Sequence, residues 1–250
     1  MKLEIYPSKD AMSKAAADLV VAQVHKKPDS VLCFPSGESP LTVLAYLVRY
    51  AKDQAVSFAQ CRFVGLDEWI GMNEMDEGSC RHFMNTHFFE PLNIRVDQIT
   101  FFDGMADDPD AECRKMDQYI SKDGPVDLMI VGLGMNGHIG LNEPGTDFSL
   151  YAHRAELDPV TVRTAQKYFK NETVLSGGIT LGLQHLMEAE TAVLIVSGEK
   201  KSDIFARLMA DPVTNKMPGT IMKSHPHAYA FVDEAAASKL DTASLHSCFK

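Results

Sequence analysis

The chain predicts an α/β fold, an open and mostly parallel sheet with helices on both faces in a Rossmann-like three-layer sandwich. Three observations predict it. Short runs such as Val31–Phe34, wholly apolar, and Thr191–Ser197, apolar at its five central positions, have no polar face, as expected of strands buried on both sides. Segments of helical periodicity alternate with them, the pattern of a parallel sheet covered by crossover helices. Several of the runs stop abruptly at Ser, Gly, Asp or Lys, which is how strands deliver polar groups to one edge of a sheet.

In order, Lys2–Tyr6 alternates polar with apolar and reads as an edge strand. Ser8 then caps a helix to about His25, with Ala11, Ala15, Leu19, Val20 and Val24 as its buried stripe. Val31–Phe34 is a buried strand running into Pro35-Ser36-Gly37-Glu38-Ser39-Pro40, and a helix follows from Leu41 to about Lys52. Strand, small-residue loop and helix is the order that turns free N–H groups toward an anion. Cys61–Leu66 is the next strand and ends in Asp67-Glu68-Trp69. Ser79–Phe89 reads as a helix with Phe83, Phe88 and Phe89 inward and His82 and His87 outward. Ile99–Phe102 is a short strand, and Pro109 opens a helix ending near Gly124.

Val126–Gly145 (VDLMIVGLGMNGHIGLNEPG) joins a long buried strand to a turn-rich segment holding Asn136, Gly137, His138 and Glu143. Beyond it we expect a strand at Ala155–Asp158, a helix over Ile179–Glu190, a strand at Thr191–Ser197 ending in Gly198-Glu199-Lys200-Lys201, a helix from Ser202 to about Met209 and a strand at His227–Val232. From Asp233 the chain reads as a loosely held end. No repeat or linker divides the 250 residues, so residues 1–250 are expected to form one domain.

The 24 basic and 34 acidic residues give a formal charge of −10, which argues against a nucleic-acid backbone or an anionic membrane as partner. Cys33, Cys61, Cys80, Cys113 and Cys248 are scattered singly, without zinc-site or disulfide spacing, as expected of reduced thiols in the cytoplasm. No basic leader with an apolar core begins the chain, and no window approaches the ~20 apolar residues of a membrane span.

Four strand ends would meet along one edge: Ser36–Ser39, Asp67-Glu68, Asn136–Glu143 and Lys200-Lys201. Together they offer an anion-binding loop, a candidate base, an imidazole with an acidic neighbour, and a cation. Gly132–Gly137 fits GxGxxG as a string, but the fingerprint should open a helix, and here Ile139 lies between glycines with Pro144 soon after. No nucleophile elbow, full phosphate loop or metal-ligand cluster is present.

The pieces FPSGESP, FVGLDEW, GLGMNGHIGLNEPG and LIVSGEKKS, in this order, resemble the glucosamine-6-phosphate deaminase (isomerase) family, including its galactosamine-6-phosphate branch. That resemblance implies conversion of a 2-amino-2-deoxyhexose 6-phosphate to the ketohexose 6-phosphate and ammonia, without metal or organic cofactor. It further implies that His138, oriented by Glu143 and Asn136, opens the sugar ring and that Asp67 moves a proton from C2 to C1. Ser36, Gly37, Glu38 and Ser39, with Lys201 and Lys167, would hold the phosphate, and Glu68 and Gly137 would support the site. Relatives of this kind can assemble into homo-oligomers. The alternatives are a 6-phosphogluconolactonase-like hydrolase on the same fold and a non-catalytic sugar-phosphate sensor.

The pattern departs from the family at three places. Glu38 stands where a small residue is usual, and a carboxylate near a phosphate costs energy. It either points outward or meets the substrate as a specificity residue. Lys167 replaces an arginine, a point charge instead of a bidentate fork. Thr146–Leu157 carries Tyr151, His153 and Ala155 where allosteric members have basic residues, implying hyperbolic kinetics. The LDEW sequence, Lys167 and this segment together are similar to the galactosamine branch.

Overall fold

The computed structural model describes residues 1–241. Its strands are β1 (Lys2–Tyr6), β2 (Val31–Phe34), β3 (Arg62–Gly65), β4 (Asp67–Trp69), β5 (Ile99–Thr100), β6 (Leu128–Gly132), β7 (His153–Ala155), β8 (Gly178–Thr180), β9 (Thr191–Val196) and β10 (Ala228–Asp233). Its α-helices are α1 (Lys9–Lys26), α2 (Leu41–Lys52), α3 (Cys80–Met84), α4 (Pro109–Asp123), α5 (Pro159–Ala165), α6 (Leu183–Glu188), α7 (Ser202–Ala210) and α8 (Glu234–Ala237). Seven strands form one sheet in the order β1-β10-β9-β6-β2-β3-β5, and every pairing in it is parallel.

Alternation within the strands builds the two outer layers. Leu32 and Phe34 of β2 point into one core with Met12 and Val20 of α1 and Leu44 and Leu47 of α2, while Val31 and Cys33 join the other with Met116 and Phe205. Leu128 and Ile130 of β6 divide from Met129 and Val131 in the same way. Side chains of period two, apolar on both faces, leave such a strand no choice but the centre of a covered sheet.

The order reverses between β2 and β6. From β2 the chain builds outward through β3 to β5, then returns to β6 on β2's other flank and proceeds through β9 to β10. A crevice opens at such a switch point beyond the carboxyl ends of the strands. The four strands whose ends carry distinctive polar residues, β3, β2, β6 and β9, are consecutive neighbours across it.

A second, antiparallel sheet of β4, β8 and β7 lies beside this crevice, with Asp67 opposite Thr180 and Glu68 opposite Ile179. Asp67 and Glu68 are therefore strand residues and not loop residues after β3. The expected helix over Ile179–Glu190 begins only at Leu183, because Ile179 and Thr180 pair on both sides within β8. The strand expected at Ala155–Asp158 lies earlier, at His153–Ala155, and Asp158 instead caps α5, its carboxylate accepting from Val160 N at 2.7 Å. The helix expected over Ser79–Phe89 changes after Met84 into a π-helical turn, Asn85–Phe89.

In α1 the buried stripe is Met12, Ser13, Ala16, Ala17, Val20, Gln23 and Val24, so Ala11, Ala15 and Leu19 flank it half-buried. The end from Asp233 is not loose over its described part. Asp233 caps α8, accepting from Ala236 N at 2.8 Å, and Ala236 is fully buried. Cys33, Cys61, Cys80 and Cys113 are free and buried; Cys248 lies outside the described residues. Among the described residues no helix is long and apolar enough to cross a membrane.

Candidate active site

The crevice holds a cavity of about 850 Å³, lined by groups from all four strand ends and from α5. At one end, Ser36, Glu38 and Ser39 precede α2, whose first turn has no side-chain cap, so its N–H groups stay available to an anion beside the loop. Gly37 has φ +98°, and a Cβ there would lie 2.8 Å from the Tyr168 hydroxyl, so this turn tolerates glycine alone. Lys201 enters from the turn after β9 and donates to the Leu133 carbonyl. Burial lowers its pKa to about 8, with the Lys167 charge acting in the same direction.

That turn is secured from behind. Both carboxylate oxygens of Asp233, at the end of β10, accept from Gly198 N at 3.0 Å. Lys167 reaches the same end of the cavity from the segment after α5, where its Nζ lies 2.7 Å from Glu38 Oε2.

Asp67 and His138 line the same cavity, and Cys80 joins Asp67 to Ser36 through its thiol. Asp67 is pushed up to about 7, chiefly by burial; a hydrogen bond from Cys80 opposes this, Glu68 adds to it, and His138 opposes it. Glu68 faces away from the cavity. Its Oε1 accepts from Trp69 N and Cys80 N, and its Oε2 from Ser79 Oγ and Arg81 N, at 2.8–3.0 Å. It is the anchor of the α3 N-terminus: burial raises its pKa, and these hydrogen bonds only partly offset that.

His138 projects from the turn after β6, closed by Gly134 N donating to His138 O at 2.9 Å. Its ring lies flat against Gly134, where a Cβ would meet Nε2 at 2.4 Å. Nδ1 faces inward, 3.0 Å from Thr161 Oγ1 and 3.4 Å from Glu143 Oε2. Asn136 ties the group together, donating from Nδ2 to Glu143 Oε2 at 2.8 Å and accepting from His138 N at 3.2 Å. For Glu143, burial raises the pKa, but contacts with His138, Thr161 and Asn136 outweigh it and the net shift is downward. Its Oε1 is buried with no hydrogen-bond partner, while Oε2 is shared between Asn136 and the imidazole.

A family model described as glucosamine-6-phosphate isomerases/6-phosphogluconolactonase matches residues 7–230. The chain belongs to this family. It is 37% identical to the glucosamine-6-phosphate deaminase of Geobacillus sp. (strain WCH70), over 95% of each chain, and 36% identical to that of Shouchella clausii (strain KSM-K16), over 92% and 93%. A solved structure described as a monomeric glucosamine-6-phosphate deaminase superposes with a TM-score of 0.92 at 30% identity, covering 95% of this chain and 99% of that one. The 6-phosphogluconolactonase from Leishmania guyanensis, at 16% identity and TM-score 0.77, shares the fold over 96% and 99%.

Ser36, Glu38, Ser39, Asp67, His138, Lys167 and Lys201 line one cavity. Asn136 and Glu143 stand behind His138, Gly137 (φ +88°) turns the chain between them, and Glu68, on β4, faces the N-terminus of α3 instead of the cavity. Two groups escaped the sequence reading. Thr161 is the second partner of the imidazole, and Asp158-Pro159, a cap followed by an N1 proline, is the signal that announces its helix. Cys80 supplies a thiol to Asp67 from α3, and a lone cysteine carries no such signal. Among the described residues no group of three or more His, Cys, Asp or Glu is placed to hold a metal ion.

Proposed function

We propose that the chain isomerises and deaminates a 2-amino-2-deoxyhexose 6-phosphate, glucosamine 6-phosphate first, to the ketohexose 6-phosphate and ammonia. One observation carries the reading: a carboxylic acid tuned to about 7 shares a cavity with a carboxylate-backed imidazole, a cation and an anion loop. The relatives at 36–37% identity, both glucosamine-6-phosphate deaminases, support the choice of substrate.

In this proposal the phosphate rests on the Ser36–Ser39 amides and hydroxyls with Lys201 and Lys167. That places the sugar ring between Asp67 and His138. His138, backed by Glu143, takes the proton of the C1 hydroxyl and passes it to the ring oxygen, which opens the pyranose to the aldehyde. Asp67 as carboxylate removes the C2 proton while water supplies one to the C1 oxygen, giving an enol-amine, and Asp67 then gives its proton to C1 as the C2 amino group loses one to water. The resulting C2 ketimine adds one water and releases ammonia, leaving the ketose. A base near pH 7 is matched to this task, since a carboxylate of ordinary pKa would hold the proton too weakly. The proposal includes a cytoplasmic location and action as a single domain.

The test is ammonia release from glucosamine 6-phosphate and galactosamine 6-phosphate in parallel, with Asp67→Asn as control. Release that Asp67→Asn abolishes is expected. Hydrolysis of 6-phosphogluconolactone without ammonia release from either hexosamine would replace the proposal with the lactonase reading, and tight binding without turnover of any of the three would replace it with a sensor.

A further inference from the structure

Glu38 and Lys167 stand at the anion end of the cavity, 2.7 Å apart, and both line it together with Ser36, Ser39 and Lys201. The pair joins the loop after β2 to the segment after α5. That segment is docked along its length. Tyr168 lies over Gly37, Phe169 lies against Gly78, and Lys170 Nζ meets Glu77 Oε1 at 2.7 Å. Lys167 is thus brought to the phosphate loop by neighbouring contacts as well as by Glu38, and its ammonium sits 5.0 Å from the Tyr168 ring centroid.

Two anions therefore have a claim on one cation. A dianionic sugar phosphate on the Ser36–Ser39 amides would lie beside the Glu38 carboxylate and beside an ammonium already committed to that carboxylate. Glu38 is more than half exposed, free to turn outward, and Lys9 Nζ already donates to its backbone carbonyl at 3.2 Å. An exchange would strand no charge, because Lys9 stands ready as a second partner.

Resting on the phosphate placement above, we infer that Glu38 is a specificity-setting residue that competes with the substrate's phosphate for Lys167. Its carboxylate occupies the lysine until a stronger, doubly charged anion takes the lysine over. Singly charged anions and unphosphorylated amino sugars lack the charge to win that exchange, so the residue sharpens selection for the phosphate ester while weakening affinity for it.

The test measures the Kd of inorganic phosphate by calorimetry and kcat and KM for glucosamine 6-phosphate, at fixed ionic strength, in Glu38→Gln, Lys167→Met, the double variant and Lys201→Met. The pair is exposed, so its removal is expected to tighten phosphate Kd and lower KM only about three- to fivefold, with kcat within about twofold. In the Lys167→Met background the same Glu38→Gln change should give less than about twofold. An unchanged or weaker phosphate affinity in Glu38→Gln, or an equal effect in both backgrounds, overturns the competition. Lys201→Met separates the two levels of inference: if it leaves phosphate binding untouched, the placement of the phosphate is wrong and the competition falls with it.

Discussion

Asp67→Asn should make the protein more stable in alkali while removing its activity. Wild-type Asp67 titrates near 7 in the folded chain against 3.8 for an ordinary aspartate, mainly because burial disfavours the carboxylate. A folded pKa raised above the unfolded one contributes stability that is complete below 3.8 and is lost as pH rises through about 7. At ~1.4 kcal/mol per unit, the loss reaches roughly 4 kcal/mol above pH 8, of which roughly 2–3 kcal/mol accrues between pH 5 and 8.5. Asparagine keeps the shape and carries no charge to bury, so the variant escapes this loss. Urea unfolding of both proteins at pH 5 and pH 8.5 gives the comparison, since the other titrating groups cancel in the difference. The expected result is an advantage of the variant that grows by about 2–3 kcal/mol at the higher pH, with turnover down about 10²–10⁴-fold. A difference that is the same at both pH values would refute the placement of the charge cost on Asp67. In the wild type, kcat/KM should rise with pH through about 7, as the base loses its proton.

Lys201, lowered to about 8 by burial, should lose its hold on phosphate in alkali: KM is expected to rise about fivefold between pH 8 and 9, and Lys201→Met should raise KM at pH 7 and flatten that dependence. Glu143→Gln should cost more turnover than Asn136→Ala, about 10²-fold or more against roughly tenfold, because Glu143 supplies the negative charge beside Nδ1 while Asn136 only orients that carboxylate; the reverse ranking in kcat would sink that assignment. Initial-rate curves should be hyperbolic and unaffected by an N-acetylhexosamine 6-phosphate. In Thr146–Leu157, Tyr151 is bonded to Glu188 Oε1 at 2.7 Å and Ala155 is buried, so neither position offers a cation to an anionic effector.

Much of this architecture is legible in the sequence, for reasons visible residue by residue. A strand such as VLCF, apolar at every position, can sit only in the middle of a covered sheet, and where it ends in Pro-Ser-Gly the chain has to leave that sheet. Asp67, His138 and Lys201 are conspicuous because each follows such a run. The small sheet is hidden because β4, β7 and β8 have three residues each, too few for any period to register. Ile179 and Thr180 read as the start of a helix because apolar residues continue after them. Their partners, Asp67-Glu68 and His153-Arg154, are far away in sequence. In α1 the run Ala15–Val21 is apolar at so many positions that its facing was uncertain by one residue, and packing under β10 and β9 decided it. Thr161 and Cys80 reach the site from segments whose arrival depends on the whole fold.

The bond from Asp233 to Gly198 gives the growing chain an order of events. The residues that line the cavity are all synthesised by Lys201, and β3, β2, β6 and β9 can align as soon as β9 has left the ribosome. At that moment β9 still has an unpaired flank, and β1, the first strand made, has no partner at all, since its neighbour is β10. The last strand fills the gap between them and brings with it the carboxylate that fixes the Gly198 turn. The lining of the cavity is therefore complete in sequence before β10, and the Gly198 turn is fixed only when residues 228–233 arrive.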